Sequence, residues 1–481
     1  MDILQVASEM TPIAKVGGLG DVLMGLTREL IQKGHTVLPV LPAYGAIDLR
    51  LLTPDGRVDR FSTMQADSSV EAAVTYYRFD KNLPVALLDT EGGFFRSRRT
   101  IYGDASPEAA FLFFCRCVVD WLLASNRTPD IVHVHDWPTA LVPETYRART
   151  GQRPPFGSLF TVHNFEYQGR CSPEDLAAAG VAFPDPSVLN DPQYPCLNLV
   201  KAGLLTADIV TTVSPTYASE VRTPGESLYD VLSGLNERFV GVLNGLDSSF
   251  WNPREDPYIS VPYGPSDAQS AKKQNREKLL SFVGIPSIEG VPLIASVTRL
   301  VDQKGIWMIK DLFCKAEELQ FQGLIIGSVP DPEAKKAFSE LDLFLRSCGR
   351  GAVFQVSDEE LAHKVYAASD LFVVPSIVEP CGLTQLIALA YGSVPVVRKT
   401  GGLSDTIIDV DTASPEANGF VFNEPLSEDF ISTVKRALQL FADKPRWAAL
   451  LRNGMQQDHS WARPCDTYLA LYKKAMQRKF A

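Results

Sequence analysis

Short apolar runs, almost unbroken by polar residues, recur along this chain with helix-length stretches between them. They read ILQVA at 3–7, TVLPVL at 36–41, IVHVH at 131–135, SLFTV at 158–162, IVTTV at 209–213, LIASV at 293–297, GLIIG at 323–327, LFVVP at 371–375 and VPVV at 394–397. A strand covered on one face alternates apolar with polar, whereas one covered on both faces is apolar throughout. Helices must supply the cover, and repeated strand–helix alternation predicts an α/β fold with parallel, doubly wound sheets. Residues 108–124 are apolar on nearly every face, with Arg116 and Asp120 as the main interruptions, which predicts a deeply buried helix.

A chain of 481 residues exceeds what one core fills and predicts about two to four domains. The first group of strands ends near VGVLNGLD at 240–247. The second begins at VPLIASV, after a stretch rich in Pro, Asp, Tyr and Ser (252–270) and a basic helix (271–281). The expected division is an N-terminal Rossmann-like domain at 1–248, a connection at 249–268, a second Rossmann-like domain at 269–460 and a closing helical segment at 461–481. Ligands of open α/β sheets bind outside the carboxyl ends of the strands. Two such domains facing each other would aim their loops into one deep cleft. No fixed-period repeat is visible.

The formal charge is −11, from 57 acidic and 46 basic residues. A negative surface repels phosphate backbones and anionic lipid, which argues against nucleic acid and membrane as partners but leaves room for a local anion pocket. The eight cysteines are scattered without a C-x-x-C, the pattern of reduced thiols and not of a disulfide framework or zinc site. The first strand starts at once, with no leader, and no apolar stretch reaches the roughly 18 residues of a membrane span. The expectation is a cytoplasmic protein, or a plastid one if a transit peptide has been removed.

Several strand ends carry chemistry. Lys15-Val-Gly-Gly-Leu-Gly-Asp-Val22 follows the first strand and opens a helix. Glycines let backbone N–H groups approach an anion, and a helix N-terminus points more of them at it; the bland alternative is a tight turn without a ligand. It is neither G-x-G-x-x-G nor the Walker motif, which counts against NAD and ATP hydrolysis. Arg299 and Lys304 leave the end of LIASV within one loop, placed to converge on a diphosphate or to remain solvated cations. Glu379-Pro-Cys-Gly-Leu-Thr-Gln385 follows LFVVP. Its carboxylate and the N–H groups of Gly382, Leu383 and Thr384 at a helix start form a clamp for hydroxyls or an anion, or else only a capped helix. Thr400-Gly-Gly-Leu403 repeats the strand–glycine–helix device. His133, His135 and Asp136 resemble a metal triad, but with only six histidines in the chain they fit polar lining of a sugar site better. His163-Asn164 ends another strand. The absence of G-x-S-x-G disfavours an α/β-hydrolase.

Together these motifs resemble the family of bacterial glycogen synthases and plant starch synthases over nearly the whole chain and in family order. The resemblance rests on K-V-G-G-L-G-D-V (15–22), Y-G-D (102–104), H-V-H-D-W (133–137), H-N-F-E-Y-Q-G (163–169), S-P-T-Y-A (214–218), N-G-L-D (244–247), R-L-V-D-Q-K-G (299–305), E-P-C-G-L-T-Q (379–385) and K-T-G-G-L (399–403). It implies the GT-B architecture of two facing Rossmann-like domains, the first on the acceptor side and the second binding the nucleotide sugar, with the last helix crossing back to the first domain. It also implies a retaining hexosyltransferase that moves glucose from ADP-glucose, with UDP-glucose the alternative, to the 4-hydroxyl of an α-1,4-glucan, without a cofactor or metal. Donor contacts fall on Lys15, Gly17, Gly18, Asn244, Arg299, Lys304, Gly382, Leu383 and Thr384; the catalytic set is Glu379, His163, Lys304 and Arg299. Asp21, Tyr102 and Asp136 lie toward the acceptor. Thr298, Val301 and Ala390 depart mildly from the family pattern. A small-acceptor glucosyltransferase and a non-catalytic glucan-binding scaffold of the same fold are the competing readings.

Overall fold

The computed structural model describes residues 1–80, 83–181, 183, 186–412 and 414–478. Two compact units divide it, one of residues 1–245 and 461–481 and the other of residues 246–460.

In chain order the first unit contains the strands β1 (Asp2–Val6), β2 (Thr36–Pro42), β3 (Thr53–Gln65), β4 (Ser68–Phe79), β5 (Leu83–Thr90), β6 (Ile131–His135), β7 (Gly157–Val162), β8 (Arg170–Cys171), β9 (Leu197–Asn198), β10 (Ile209–Thr212) and β11 (Phe239–Gly241). Nine of them form one sheet in the order β11-β10-β7-β6-β1-β2-β5-β4-β3. Pairing is parallel from β11 to β5, with Ile3 opposite both Val37 and Ile131. The remaining strands, β4 and β3, run antiparallel to their neighbours. This long hairpin edge differs from the all-parallel expectation. Its signal is period two: Ala72, Val74 and Tyr76 are buried in β4 while the residues between them are not. Alternation of this kind marks a strand with one face in water.

The central strands are apolar because both faces are covered. Ile3, Leu4 and Val6 are completely buried. The helix Pro107–Ala124 buries thirteen consecutive residues, Ala110 to Leu122, including Phe111, Phe113, Phe114 and Trp121. Side chains of that size each contribute about 1.5–3 kcal/mol when removed from water. Arg116 and Asp120, the two buried charges in that helix, pair at 3.2 Å. The last helix, Ala462–Arg478, belongs to this unit and turns Cys465, Tyr468, Leu471, Tyr472 and Ala475 inward at helical spacing. Lys479 lies outside the described residues.

The second unit holds β12 (Leu293–Val297), β13 (Gln322–Ile326), β14 (Gly351–Phe354), β15 (Leu371–Val374), β16 (Val394–Arg398) and β17 (Phe420–Phe422). They form an all-parallel sheet in the order β14-β13-β12-β15-β16-β17. Chain order therefore reverses between β12 and β15, as it does between β1 and β6 in the first unit. Such switch points open a crevice at the carboxyl ends of the strands. Residues 249–268 pack within this unit, with Ile259 and Tyr263 in its core. Among the described residues no helix is long and apolar enough to cross a membrane.

Candidate active site

In the first unit the polar residues gather after β1, β6 and β7, around the switch point. The chain leaves β1 through Ser8 and Glu9 and loops to Gly17, which caps the helix Gly18–Gln32 without a side-chain bond. Glu9 instead holds the turn that leads into the helix. It is buried, and its Oε2 accepts the N–H groups of Val16 at 2.6 Å and Gly17 at 2.7 Å. The Tyr102 hydroxyl donates to Glu9 Oε1 at 2.7 Å and lies 2.8 Å from Ser8 Oγ. A side chain at Gly20 would press on the Thr11 hydroxyl and backbone, so the first helical turn seats directly on the loop. With the amides of Val16 and Gly17 held by Glu9, the helix offers an incoming anion its N–H groups from Gly18 onward.

Lys15 and Asp21, assigned by the sequence to opposite substrates, form an ion pair at 2.9 Å, and Thr11 Oγ1 donates to the same carboxylate oxygen at 2.8 Å. Asp136 follows β6 with φ of 55°, a left-handed conformation that a non-glycine residue adopts at a cost. That turn lets its Oδ1 accept the backbone N–H of His163 at 2.6 Å. Burial raises the Asp136 carboxyl to about 7, with the Glu9 charge acting in the same direction. Burial lowers the His163 imidazole to about 3. His163 is thus neutral at physiological pH and able to hydrogen-bond a hydroxyl without adding charge, and its Nε2 lies 3.1 Å from His135 Nδ1. His133, grouped with the sugar-site residues by the sequence, is instead wholly buried between Tyr472 (2.9 Å) and Thr161 (2.7 Å). Strand alternation put it on the His135 face, but the closing helix covers that face. Asn244, beyond β11, is buried, and its side-chain oxygen accepts no hydrogen bond from the described residues. A buried acceptor left unpaired is costly enough to call for a ligand.

In the second unit the switch point carries Lys304 and Glu379. Lys304 ends a short 3-10 turn, Asp302–Lys304, beyond β12, and Gly305 follows with φ of 66°. A Cβ at Gly305 would strike the Pro375 carbonyl, so only glycine lets this loop lie against the one after β15. The Ile377 N–H donates to the Gln303 carbonyl at 2.8 Å and ties the two loops. Lys304 Nζ then reaches both Glu379 oxygens, at 2.7 and 2.8 Å, and Ser376 Oγ donates to Glu379 Oε2 at 2.8 Å. Removing one partner of so buried a pair would strand the other charge, at about 3–5 kcal/mol. Arg299, in the same loop as Lys304, is exposed.

Glu379 begins a tight backbone path. Gly382 has φ of 74° and the helix Thr384–Ala390 starts two residues later, with Leu383 as its cap. The amides of Gly382, Leu383 and Thr384 therefore lie at a helix start, as the sequence indicated. The Thr400-Gly-Gly-Leu403 turn packs backbone to backbone on this loop: a Cβ at Gly401 or Gly402 would run into the carbonyls of Glu379 and Cys381. Those two glycines make room for Glu379. Among the described residues no group of three or more His, Cys, Asp or Glu side chains is placed to hold a metal ion.

Comparison with known proteins gives the geometry its family. The model of the starch synthase catalytic domain matches residues 2–234, and that of glycosyl transferases group 1 matches residues 281–448. A glycogen synthase of Protochlamydia amoebophila is 39% identical over 98% of this chain and 99% of its own length. The chain belongs to the glycogen and starch synthase family. A probable starch synthase 4, chloroplastic/amyloplastic, of Arabidopsis thaliana is 36% identical over 99% of this chain, which spans 47% of the plant protein. The solved catalytic domain of Starch Synthase IV from the same plant, bound to ADP and acarbose, superposes with a TM-score of 0.92 at 36% identity, covering 99% of each chain. A sucrose-phosphate synthase from Thermosynechococcus elongatus shares the fold, with a TM-score of 0.63 at 18% identity. As a member of this family the chain is a glycosyltransferase of GT-B fold that carries out the retaining α-1,4-glucan synthase reaction.

Three residues of the site escaped the sequence. Glu9 is a lone carboxylate with no spacing signal beyond its place just after an apolar strand. Ser376 follows a strand end with no motif around it. Arg398, at the end of β16, donates to the carbonyls of Ser376 (2.8 Å) and Ile377 and so steadies the loop that carries Glu379.

Proposed function

We propose that the donor is ADP-glucose and that the glucosyl unit passes to the non-reducing 4-hydroxyl of an α-1,4-glucan. The observation that carries this is the pairing of Lys304 and Glu379 at the switch point of the second unit, a cation for the leaving diphosphate beside a carboxylate for the sugar. Arg299 and Lys304, with Lys15 and the Gly18 amide, neutralise the diphosphate as its bond to glucose breaks; Gly17 contributes by shaping the loop. Glu379, His163, Asn244 and the amides of Gly382, Leu383 and Thr384 hold the transferred glucose. Asp21, Tyr102 and Asp136 serve the acceptor side. The first unit then acts mainly on the acceptor and the second on the nucleotide sugar, in a cytoplasmic setting without a membrane or nucleic-acid partner. The ADP in the starch synthase structure supports the choice of donor, and the acarbose there supports a glucan-like acceptor.

The test compares ADP-glucose with UDP-glucose, each with and without maltooligosaccharide, reading nucleoside diphosphate release and product length together. Glucan-dependent ADP release with products longer by single units is expected, with kcat/KM for ADP-glucose at least about tenfold the higher, a modest difference of about 1.4 kcal/mol in transition-state binding. Preference for UDP-glucose would overturn the donor assignment. Donor binding without transfer would move the chain to a non-catalytic scaffold.

A further inference from the structure

Glu9 is a buried carboxylate whose hydrogen-bond partners are neutral donors: two amides of the glycine loop and one phenol. Holding a loop in place does not require a charge, because a serine or asparagine side chain accepts N–H groups without the desolvation cost of an ion. What a carboxylate adds is a second oxygen, so one side chain holds two groups at once. Its bonds also link two groups of residues far apart in sequence. Oε2 fixes the loop bearing Lys15 and Gly18, while Oε1 fixes Tyr102, itself hydrogen-bonded to Ser8, whose carbonyl accepts the Tyr44 hydroxyl at 3.1 Å.

We propose that Glu9 is a positioning residue for glucosyl transfer, holding the donor-side loop in register with Tyr102. The inference rests on the reading of Lys15, Gly18 and Tyr102 as substrate-facing groups.

Glu9→Gln and Glu9→Ala test this by keeping or removing the hydrogen bonds. The glutamine oxygen still accepts the loop amides, and the Tyr102 hydroxyl can turn to accept from the new NH2, so the loop stays in place. Glu9→Gln is expected to keep the donor KM within about threefold of wild type. Glu9→Ala is expected to weaken ADP binding in calorimetry and raise the donor KM, each by about tenfold or more. Wild-type ADP affinity and KM in a folded Glu9→Ala overturn the loop role; if that variant fails to fold, an ADP affinity lost tenfold in Glu9→Gln does so instead. Failure of the glucosyltransferase reading shows elsewhere, in a wild-type protein that transfers nothing from either nucleotide sugar.

Discussion

Lys15 and Lys304, two of the cations assigned to the diphosphate, each rest on a carboxylate, Asp21 and Glu379 respectively. The more buried pair, Lys304 with Glu379, gains strength from its low-dielectric surroundings. On the proposed assignment, donor arrival exchanges those contacts: phosphate for carboxylate on the lysine, sugar hydroxyl for ammonium on the glutamate. The lysine then binds more strongly as negative charge grows on the leaving oxygen, which is how a pre-placed donor lowers a barrier. Lys304→Ala is expected to lower kcat by about 10²–10³. Glu379→Gln should still fold, because its amide oxygen can accept from Lys304 and so keeps that ammonium hydrogen-bonded, yet turn over poorly. Steady-state kinetics beside an unfolding curve checks both, and near-wild-type turnover in either variant removes that residue from the site.

Helices and strands hold these residues through buried polar ties as much as through apolar packing. Lys272 lies on the helix Ala268–Phe282. Its Nζ donates to the carbonyls of Tyr366 (3.0 Å), Ala367 (3.3 Å) and Tyr391 (2.8 Å), clamping the ends of two other helices. Burial lowers this amine to about 7, below the 10.5 of a free lysine. Between those values the unfolded chain binds the extra proton, so the stability contributed by Lys272 rises with pH from about 7 to about 10. Lys272→Met is expected to destabilise the second unit by about 1–3 kcal/mol through its orphaned carbonyls. The deficit should widen from pH 7 to pH 10 in urea unfolding, and a deficit independent of pH would show that the amine is charged in the fold. Elements were legible in the sequence where one physical rule dominated. Doubly covered strands such as β1, β6, β12 and β15 announced themselves as apolar runs, and the helix at 107–124 as an apolar cylinder. The β3–β4–β5 edge did not, because its alternating, polar-rich strands resemble loop. Glycine motifs were legible as close approaches, but what approached was hidden: Gly401 and Gly402 admit the backbone of Glu379 and Cys381, and Gly17 leans on Glu9. Spacing along the chain carries no sign of such partners from other elements, which is why Glu9, Ser376 and Arg398 were missed.

The whole molecule has two α/β units, each with its chemistry at the carboxyl ends of the strands flanking a switch point. Loops after β1, β6 and β7 bear Lys15, Asp136 and His163 in one, and loops after β12 and β15 bear Arg299, Lys304 and Glu379 in the other. The formal net charge is −11, against which the cations of these loops are local exceptions. The most direct test of retaining glucan transfer uses ADP-glucose carrying 13C at C1 with a maltooligosaccharide acceptor, followed by NMR. A single α-linked 13C resonance is expected on the non-reducing end, joined to the carbon of the former terminal 4-hydroxyl, in amounts equal to the ADP released. Label appearing as free glucose, as a β-glycoside or at another hydroxyl would contradict the account.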